Sequence, residues 1–187
     1  MANGVAETRG HTPSRSRTAL VVASLASIVA ADQLTKVWAV AALSDGPQHI
    51  IGDFFEFAVT RNSGSAFSGF RGYTPVLAVF AIVIAVFVAR AVRQATDKWA
   101  LVGLVLVLGG ALGNLVDRFV RSPGFLRGHV VDFVAVGSFP VFNVADSCIT
   151  IGAIVLIART LFAPDATRPP TPTPDADPDP RPDPIHD

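Results

Sequence analysis

Residues 74–92 read TPVLAVFAIVIAVFVARAV and carry no charged side chain between Thr74 and Ala89. A helix needs about 20 mainly apolar residues to cross the hydrocarbon core of a bilayer. The length and composition of this stretch therefore predict a transmembrane helix, and they set the fold class of the chain.

Three further apolar segments have a similar length, and the sequence predicts a membrane span in each: Ala19–Leu43, Trp99–Val116 and Val141–Phe162. Half of the 187 residues are hydrophobic and only 16% are charged, against about a quarter in soluble domains. The net charge is zero, so no general attraction to nucleic acid is expected.

The two ends of the chain are polar. We expect a cytoplasmic N-terminal tail over residues 1–17, a four-helix membrane domain over residues 18–163 and a disordered, Pro- and Asp-rich cytoplasmic tail over residues 164–187. Arg15 and Arg17 before an apolar run also resemble a cleavable secretory signal. Because the apolar pattern resumes at residues 37–43 and three more segments follow, a retained first helix is the better interpretation.

Basic residues predict the orientation. Lys and Arg favour the cytoplasmic side of a membrane, and eight of them fall on one side of a four-span chain: Arg9, Arg15, Arg17, Arg90, Arg93, Lys98, Arg159 and Arg168. The sequence therefore predicts a multi-pass protein with both termini in the cytoplasm.

Polar residues cluster at the opposite, extracytoplasmic ends of three predicted helices. They are Asp32, Gln33 and Lys36 in the first, Asn114, Asp117 and Arg118 in the third, and Asn143 and Asp146 in the fourth. Ionisable residues at membrane depth mark functional sites by default. We expect the first, third and fourth helices to form a groove, with the second completing the bundle.

The extracytoplasmic connections are rich in β-branched and aromatic residues. His49–Thr60 and His129–Val136 are predicted to form strands, and Arg61–Phe67 supplies turn residues after the first of them. The predicted fold is thus an all-α membrane protein of four transmembrane helices with a small extracytoplasmic β-sheet at the membrane surface.

The third predicted helix combines a packing motif with polar residues. Gly109 and Gly113 form a GxxxG pair, which lets another helix approach closely. Asn114, Asp117 and Arg118 follow at i, i+3 and i+4 spacing and so share one face. The sequence leaves open whether they support the structure, for example through an Asp117–Arg118 ion pair, or contact a ligand.

Two aspartates, Asp132 and Asp146, lie among apolar residues where unpaired charge is costly. Asp146 alone could stabilise the start of a helix, whereas Asp132 lies in a strand-like run with no such role. Two carboxylates in a pocket of low dielectric constant share a proton, so that one acts as base and the other as acid. This chemistry predicts an aspartic peptidase, and a small transporter or proton-relay protein is the alternative.

Other chemistry has little support in the sequence. A single cysteine, Cys148, excludes a disulfide within the chain and a cysteine-cluster metal site, and the four histidines are scattered. We expect neither a metal nor a cofactor, and Cys148 is interpreted as a small core residue.

Five motifs in this order resemble the bacterial lipoprotein signal peptidases, also called signal peptidase II. They are ADQLTKVW (31–38), RNSGSAFS (61–68), GGALGNLVDR (109–118), VVDF (130–133) and FPVFNVADSCITIG (139–152). The resemblance covers about residues 19–162. Compared with the family, the segment between Asp117 and Asp132 is longer and the one between Asp132 and Asp146 is shorter, which bears on loop geometry and substrate preference.

The resemblance implies an aspartyl endopeptidase of the bacterial cell membrane without metal or cofactor, and we expect a monomer. It implies diacylglyceryl-modified prolipoproteins as substrates, cleavage just before the lipidated cysteine, membrane lipid as the surroundings and globomycin-type peptides as inhibitors. It places the catalytic pair on Asp132 and Asp146 and assigns supporting roles to Asn62, Asn114, Asp117, Arg118 and Asn143. Asp32 and Lys36 would stabilise the end of the first helix.

Overall fold

The computed structural model describes residues 14–64 and 74–162, which form four long helices and one four-stranded sheet. In chain order the elements are α1 (Arg15–Ala42), β1 (Gln48–Ile51), β2 (Phe55–Asn62), α2 (Thr74–Gln94), α3 (Lys98–Val120), β3 (Val130–Val136), β4 (Phe139–Phe142) and α4 (Val144–Phe162). All four helices are long and apolar enough to cross a membrane. The predicted fold class is confirmed, whereas most of the N-terminal tail, part of the predicted turn and the C-terminal tail lie outside the described residues.

The fourth helix begins later than the sequence predicted. Val141 belongs to β4, and α4 begins at Val144 after Asn143, whose side-chain Oδ1 accepts a hydrogen bond from the amide of Asp146. The predicted start at Val141 was wrong because the apolar residues of β4 run directly into those of the helix. The Asn143 cap, and not hydropathy, marks the boundary.

The stretch predicted as one strand over His49–Thr60 is a hairpin of β1 and β2. The chain reverses at Gly52, which has a φ of 48°, and Phe54 N donates to Ile51 O at 3.0 Å. Because L side chains rarely adopt positive φ, glycine suits this turn. The alternation of apolar residues on both sides of the turn had concealed it.

The four strands pair antiparallel in the order β1-β2-β3-β4. In the register of β2 and β3, Thr60 lies opposite Asp132 and Asn62 lies opposite Val130. The first four residues of β3 are buried and the last three are half-buried. Asp132 thus lies in the buried part of the strand, next to the helices.

Helix α3 packs against each of the other three helices. A Cβ at Gly109 would lie 2.8 Å from atoms of Ile28, and one at Gly113 would lie 2.7 Å from Asp32 Oδ2, so both glycines face α1. A Cβ at Gly110 would lie 2.3 Å from the carbonyl oxygen of Ala145 on α4. The close approach predicted from the GxxxG pair is confirmed, and Gly110 provides the same on the α4 side.

The outward faces of the helices are apolar. Large hydrophobic side chains there are widely exposed, among them Leu20, Phe80, Phe87, Ile157 and Leu161. Exposed apolar surface of this extent marks a partner or a membrane, and on helices of this length lipid is the natural partner.

Candidate active site

Asp132 and Asp146 line the same cavity, of about 370 Å³, at the sheet end of the helix bundle. Asp132 comes from β3, and Asp146 from the first turn of α4, as the sequence predicted. The other polar residues that line the cavity are Asn62, Asn114 and Arg118. Side chains that are far apart in the sequence therefore converge around the two carboxyl groups.

The carboxyl group of Asp132 is held by two side-chain amides. Oδ1 accepts a hydrogen bond from Asn143 Nδ2 at 2.7 Å, and Oδ2 accepts one from Asn62 Nδ2 at 3.1 Å. Asp132 is only 2% exposed. Burial raises its pKa from 3.8 to about 6, the charge of Asp146 adds to the rise, and the hydrogen bonds from the two amides oppose it.

Asp146 takes part in a reciprocal cap at the start of α4. Asn143 Oδ1 accepts from the amide of Asp146 at 2.9 Å, and Asp146 Oδ2 accepts from the amide of Asn143 at 3.2 Å. The other oxygen, Oδ1, accepts from Asn114 Nδ2 at 2.8 Å. Asp146 thus caps the first turn of α4 and also lines the cavity.

Behind the cavity lies a buried ion cluster that contains Asp32, Lys36 and Asp117, all of them 0% exposed. Lys36 Nζ is 2.8 Å from Asp32 Oδ2, 2.8 Å from Asp117 Oδ2 and 3.0 Å from Asn114 Oδ1. None of the three ionised residues is among those that line the cavity. They therefore contact residues that line the cavity and do not line it themselves.

Asp117 and Arg118 do not form the ion pair that their adjacency allowed. Asp117 bonds Lys36 and, through Oδ1, Arg121 Nε at 2.7 Å. The Nη1 of Arg118 instead donates to the carbonyl oxygens of Asn62 at 3.3 Å and Gly128 at 3.1 Å. Arg118 thus joins α3 to the end of β2 at the rim of the cavity, and Asp117 supports the structure from behind.

Two further members of the cluster were given no specific role by the sequence analysis, which named Gln33 only among the clustered polar residues and did not name Arg121. Gln33 Nε2 donates to Asp32 Oδ2 at 3.0 Å and to Asp117 Oδ1 at 3.2 Å, and Arg121 bonds Asp117 from the end of α3. Gln33 lies next to Asp32 in the sequence, which was the signal available for it. For Arg121, only its i+4 spacing from Asp117 could have indicated the contact.

The apolar wall of the cavity comes mainly from α2 and α3. The lining residues are Leu77, Phe80, Ala81 and Ile84 on α2, Val107, Ala111 and Leu115 on α3, Val130 on β3 and Ile149 on α4. The expectation that the first, third and fourth helices form the groove was wrong in two respects. Helix α2 supplies a wall, whereas α1 contributes the ion cluster behind it.

Within residues 14–64 and 74–162, no group of three His, Cys, Asp or Glu side chains could hold a metal ion. Cys148 is half-buried on α4 and does not line the cavity. The polar groups around the cavity are therefore carboxylates, amides and one guanidinium, which suits proton transfer between bound groups.

Comparisons with known proteins agree with this geometry. The model of the signal peptidase (SPase) II family matches residues 24–162. The "Lipoprotein signal peptidase" of Rhodococcus jostii (strain RHA1) is 51% identical over 144 residues, which cover 75% of this chain and 73% of that protein. The protein of the same name from Mycobacterium avium (strain 104) is 50% identical over 154 residues, which cover 82% and 84%.

Solved structures show the same fold. One described as "Bacterial membrane enzyme structure by the in meso method at 1.9 A resolution" aligns with a TM-score of 0.68 at 27% identity, over 83% of this chain and 100% of that chain. A second, described in the same words but at 2.3 A, aligns with a TM-score of 0.66. The family match and the two relatives, each about 50% identical to this chain, agree with the structural likeness. The chain belongs to the signal peptidase II family of membrane peptidases.

Proposed function

We propose that the chain removes the signal peptide from diacylglyceryl-modified prolipoproteins, cutting on the N-terminal side of the lipidated cysteine. The observation that carries the proposal is the convergence of Asp132 and Asp146 on one cavity at the sheet end of an apolar bundle. The names of the relatives support the substrate class. Asp132 and Asp146 are the proposed catalytic residues.

The two aspartates lie in different surroundings, and the roles of acid and base are assigned from them. Burial away from any helix end raises the pKa of Asp132 to about 6, so Asp132 is the proposed acid. Asp146 Oδ2 accepts a main-chain hydrogen bond from Asn143 and its carboxyl group lines the cavity opposite the proposed acid, so Asp146 is the proposed base.

In the proposed reaction a water molecule lies between the two carboxyl groups. Asp146 takes a proton from the water as its oxygen attacks the scissile carbonyl carbon, and Asp132 gives its proton to the carbonyl oxygen. When the tetrahedral intermediate collapses, the C–N bond breaks and Asp146 passes its proton to the leaving amine. Asp132 recovers a proton from a hydroxyl group of the intermediate, so both residues return to their starting states.

The amides around the pair would hold the carboxyl groups in place. Asn62 and Asn143 each bond one oxygen of Asp132, and Asn114 bonds Asp146. An amide has both donors and an acceptor, so its orientation determines which neighbour it can bind. In the proposal these three residues, with Arg118 at the rim, keep the pair aligned, and no metal or cofactor takes part.

The apolar wall suits a substrate that stays in the bilayer. With the sheet end facing outward and both termini in the cytoplasm, the cavity would open at the outer membrane boundary, where an acyl chain can remain in lipid. Basic residues at the opposite end of the bundle, Arg17, Arg93, Lys98 and Arg159, support this orientation. The proposed catalytic domain is residues 18–163, and the tail over residues 164–187 is proposed to be dispensable for activity.

The direct test uses purified protein in detergent with a diacylated prolipoprotein and with the same protein lacking the diacylglyceryl group. We expect cleavage of the diacylated substrate alone, a mass-defined product that begins with the lipidated cysteine, and inhibition by globomycin. Equal cleavage of both substrates would contradict the proposed substrate class. Cleavage at another bond would contradict the proposed site of cutting.

A further inference from the structure

We propose that Lys36 is a positioning residue, which fixes the separation of the two catalytic aspartates from behind. The proposal rests on the proposed function, since it assumes that Asp132 and Asp146 act together. It concerns what the buried ion cluster does for the reaction, beyond stabilising one end of α1. It is carried by two main-chain hydrogen bonds that join the cluster to the catalytic segments.

The first of these bonds reaches the segment of Asp132. Asp117 Oδ2 accepts a hydrogen bond at 3.2 Å from the amide of Val131, the residue just before Asp132. Val131 is 1% exposed and lies in β3, so its amide has little freedom to move. Asp117 therefore fixes the position of the strand that carries Asp132.

The second bond reaches the segment of Asp146 in the same way. Asp32 Oδ1 accepts at 3.0 Å from the amide of Ala145, the residue just before Asp146. Ala145 is 0% exposed and packs against Gly110 and Gly113 of α3. Asp32 therefore fixes the first turn of the helix that carries Asp146.

Lys36 joins the two halves. Its Nζ lies 2.8 Å from the Oδ2 of Asp32 and 2.8 Å from the Oδ2 of Asp117. A continuous series of charge-assisted contacts thus runs from the amide before one catalytic aspartate to the amide before the other. Such contacts are shorter and stronger than neutral hydrogen bonds.

Electrostatic repulsion explains why Lys36 is needed between Asp32 and Asp117. Two carboxylates that are 0% exposed repel each other unless a cation lies between them, and Lys36 is that cation. Arg121 also compensates Asp117, but it bonds Oδ1, the oxygen that does not contact Val131. Without Lys36, Asp32 and Asp117 would lose the bridge and would no longer hold the two catalytic segments at a fixed separation.

A third contact reaches Asp146 directly. Lys36 can only donate hydrogen bonds, so its contact with Asn114 at 3.0 Å fixes the oxygen of that amide toward Lys36. The nitrogen of Asn114 then faces Asp146 Oδ1, to which it donates at 2.8 Å. Lys36 thus determines both the backbone position of Asp146 and the group that its carboxylate binds.

The expected consequence is a fall in kcat, because a displacement of about 1 Å at a reacting group costs on the order of 10²-fold in rate. We expect Lys36→Met to lower kcat about 10²-fold with KM within threefold of wild type, since no cluster residue lines the cavity. Lys36→Arg keeps a cation in place and should recover kcat to within about tenfold of wild type.

A matched control is Arg159→Met. Arg159 bonds Asp97 at 3.0 Å and joins α4 to the start of α3, far from the cavity. Its removal also breaks an ion pair between helices, and we expect kcat to stay within twofold of wild type. A folded Lys36→Met protein with wild-type kcat, or one in which only KM changes, would overturn the proposal.

A second variant covers the case in which Lys36→Met fails to fold. Asp32→Asn/Lys36→Met leaves no unpaired buried charge and keeps an acceptor for the amide of Ala145, and such neutral replacements often preserve stability. The bridge is still cut, so kcat should again fall about 10²-fold. Wild-type kcat in this variant would overturn the proposal. Failure of the wild-type protein to cleave any prolipoprotein would instead refute the proposed function.

Discussion

Replacing Asp132 by asparagine should abolish cleavage, and the stability of the variant relative to wild type should increase as pH rises from 4 to 7. Burial raises the pKa of Asp132 above its unfolded value, so the folded state binds the proton more tightly than the unfolded state. Ionisation of Asp132 therefore costs the wild-type folded state stability. This cost is absent below about pH 4 and grows as pH rises toward about 6. Above that pH it stays constant, because the residue is then ionised in both states.

The size of the effect follows from the two pKa values. A rise from 3.8 to about 6 is about 2 pH units, and at 1.36 kcal/mol per unit it amounts to about 3 kcal/mol. Screening by water in the cavity reduces this value, by about half at most. Between pH 4 and pH 7 the Asp132→Asn protein should therefore gain about 1.5 to 3 kcal/mol relative to wild type, or roughly 3–12 °C in Tm.

Thermal unfolding in detergent at pH 4, 5, 6 and 7 provides the measurement. The hydrogen bond that the new amide cannot accept costs the same at every pH, so it cancels in the difference between pH values. Asp45→Asn is the control, because the side chain of Asp45 is exposed and its hydrogen-bond partner is the neutral Ser44. A Tm difference between Asp132→Asn and wild type that does not change with pH would refute the reasoning.

Three further predictions concern the cavity and its surroundings. Gly110→Ala places a methyl group 2.3 Å from the Ala145 carbonyl, so it should separate α3 from α4 and lower Tm by several degrees; an unchanged Tm would contradict the packing. Ala111→Leu fills the cavity wall and should lower kcat/KM at least tenfold at unchanged Tm, whereas wild-type kinetics would show that substrate does not use this wall. If Asp132 is the acid, kcat/KM should fall about tenfold per pH unit above about pH 6, and a flat profile to pH 9 would refute that role.

Much of the fold could be predicted because the decisive signals are local. Each span is a continuous apolar run, and the position of Asp146 in the first turn of α4 follows from the sequence around Asn143. Gly109 and Gly113 face α1 because their i, i+4 spacing places them on one side of α3. These features depend on residues that are close together along the chain.

What the sequence did not predict depends on tertiary contacts. The partner of Asp117 is Lys36, distant in the sequence, and not its neighbour Arg118, because the direction of a helical side chain determines what it can reach. The cavity wall on α2 was missed since Leu77 and Phe80 are ordinary apolar residues of a membrane span. The turn at Gly52 was hidden because the strands on both sides of it carry similar side chains.

The central claim is that Asp132 and Asp146 together perform the cleavage. The most direct measurement is the single-turnover rate of cleavage of a diacylated prolipoprotein by purified Asp132→Asn and Asp146→Asn proteins, with Asp45→Asn as an exposed control. We expect each of the first two to lose at least about 10²-fold in rate while remaining folded, and the control to match wild type. Cleavage at close to the wild-type rate by either folded variant would contradict the account.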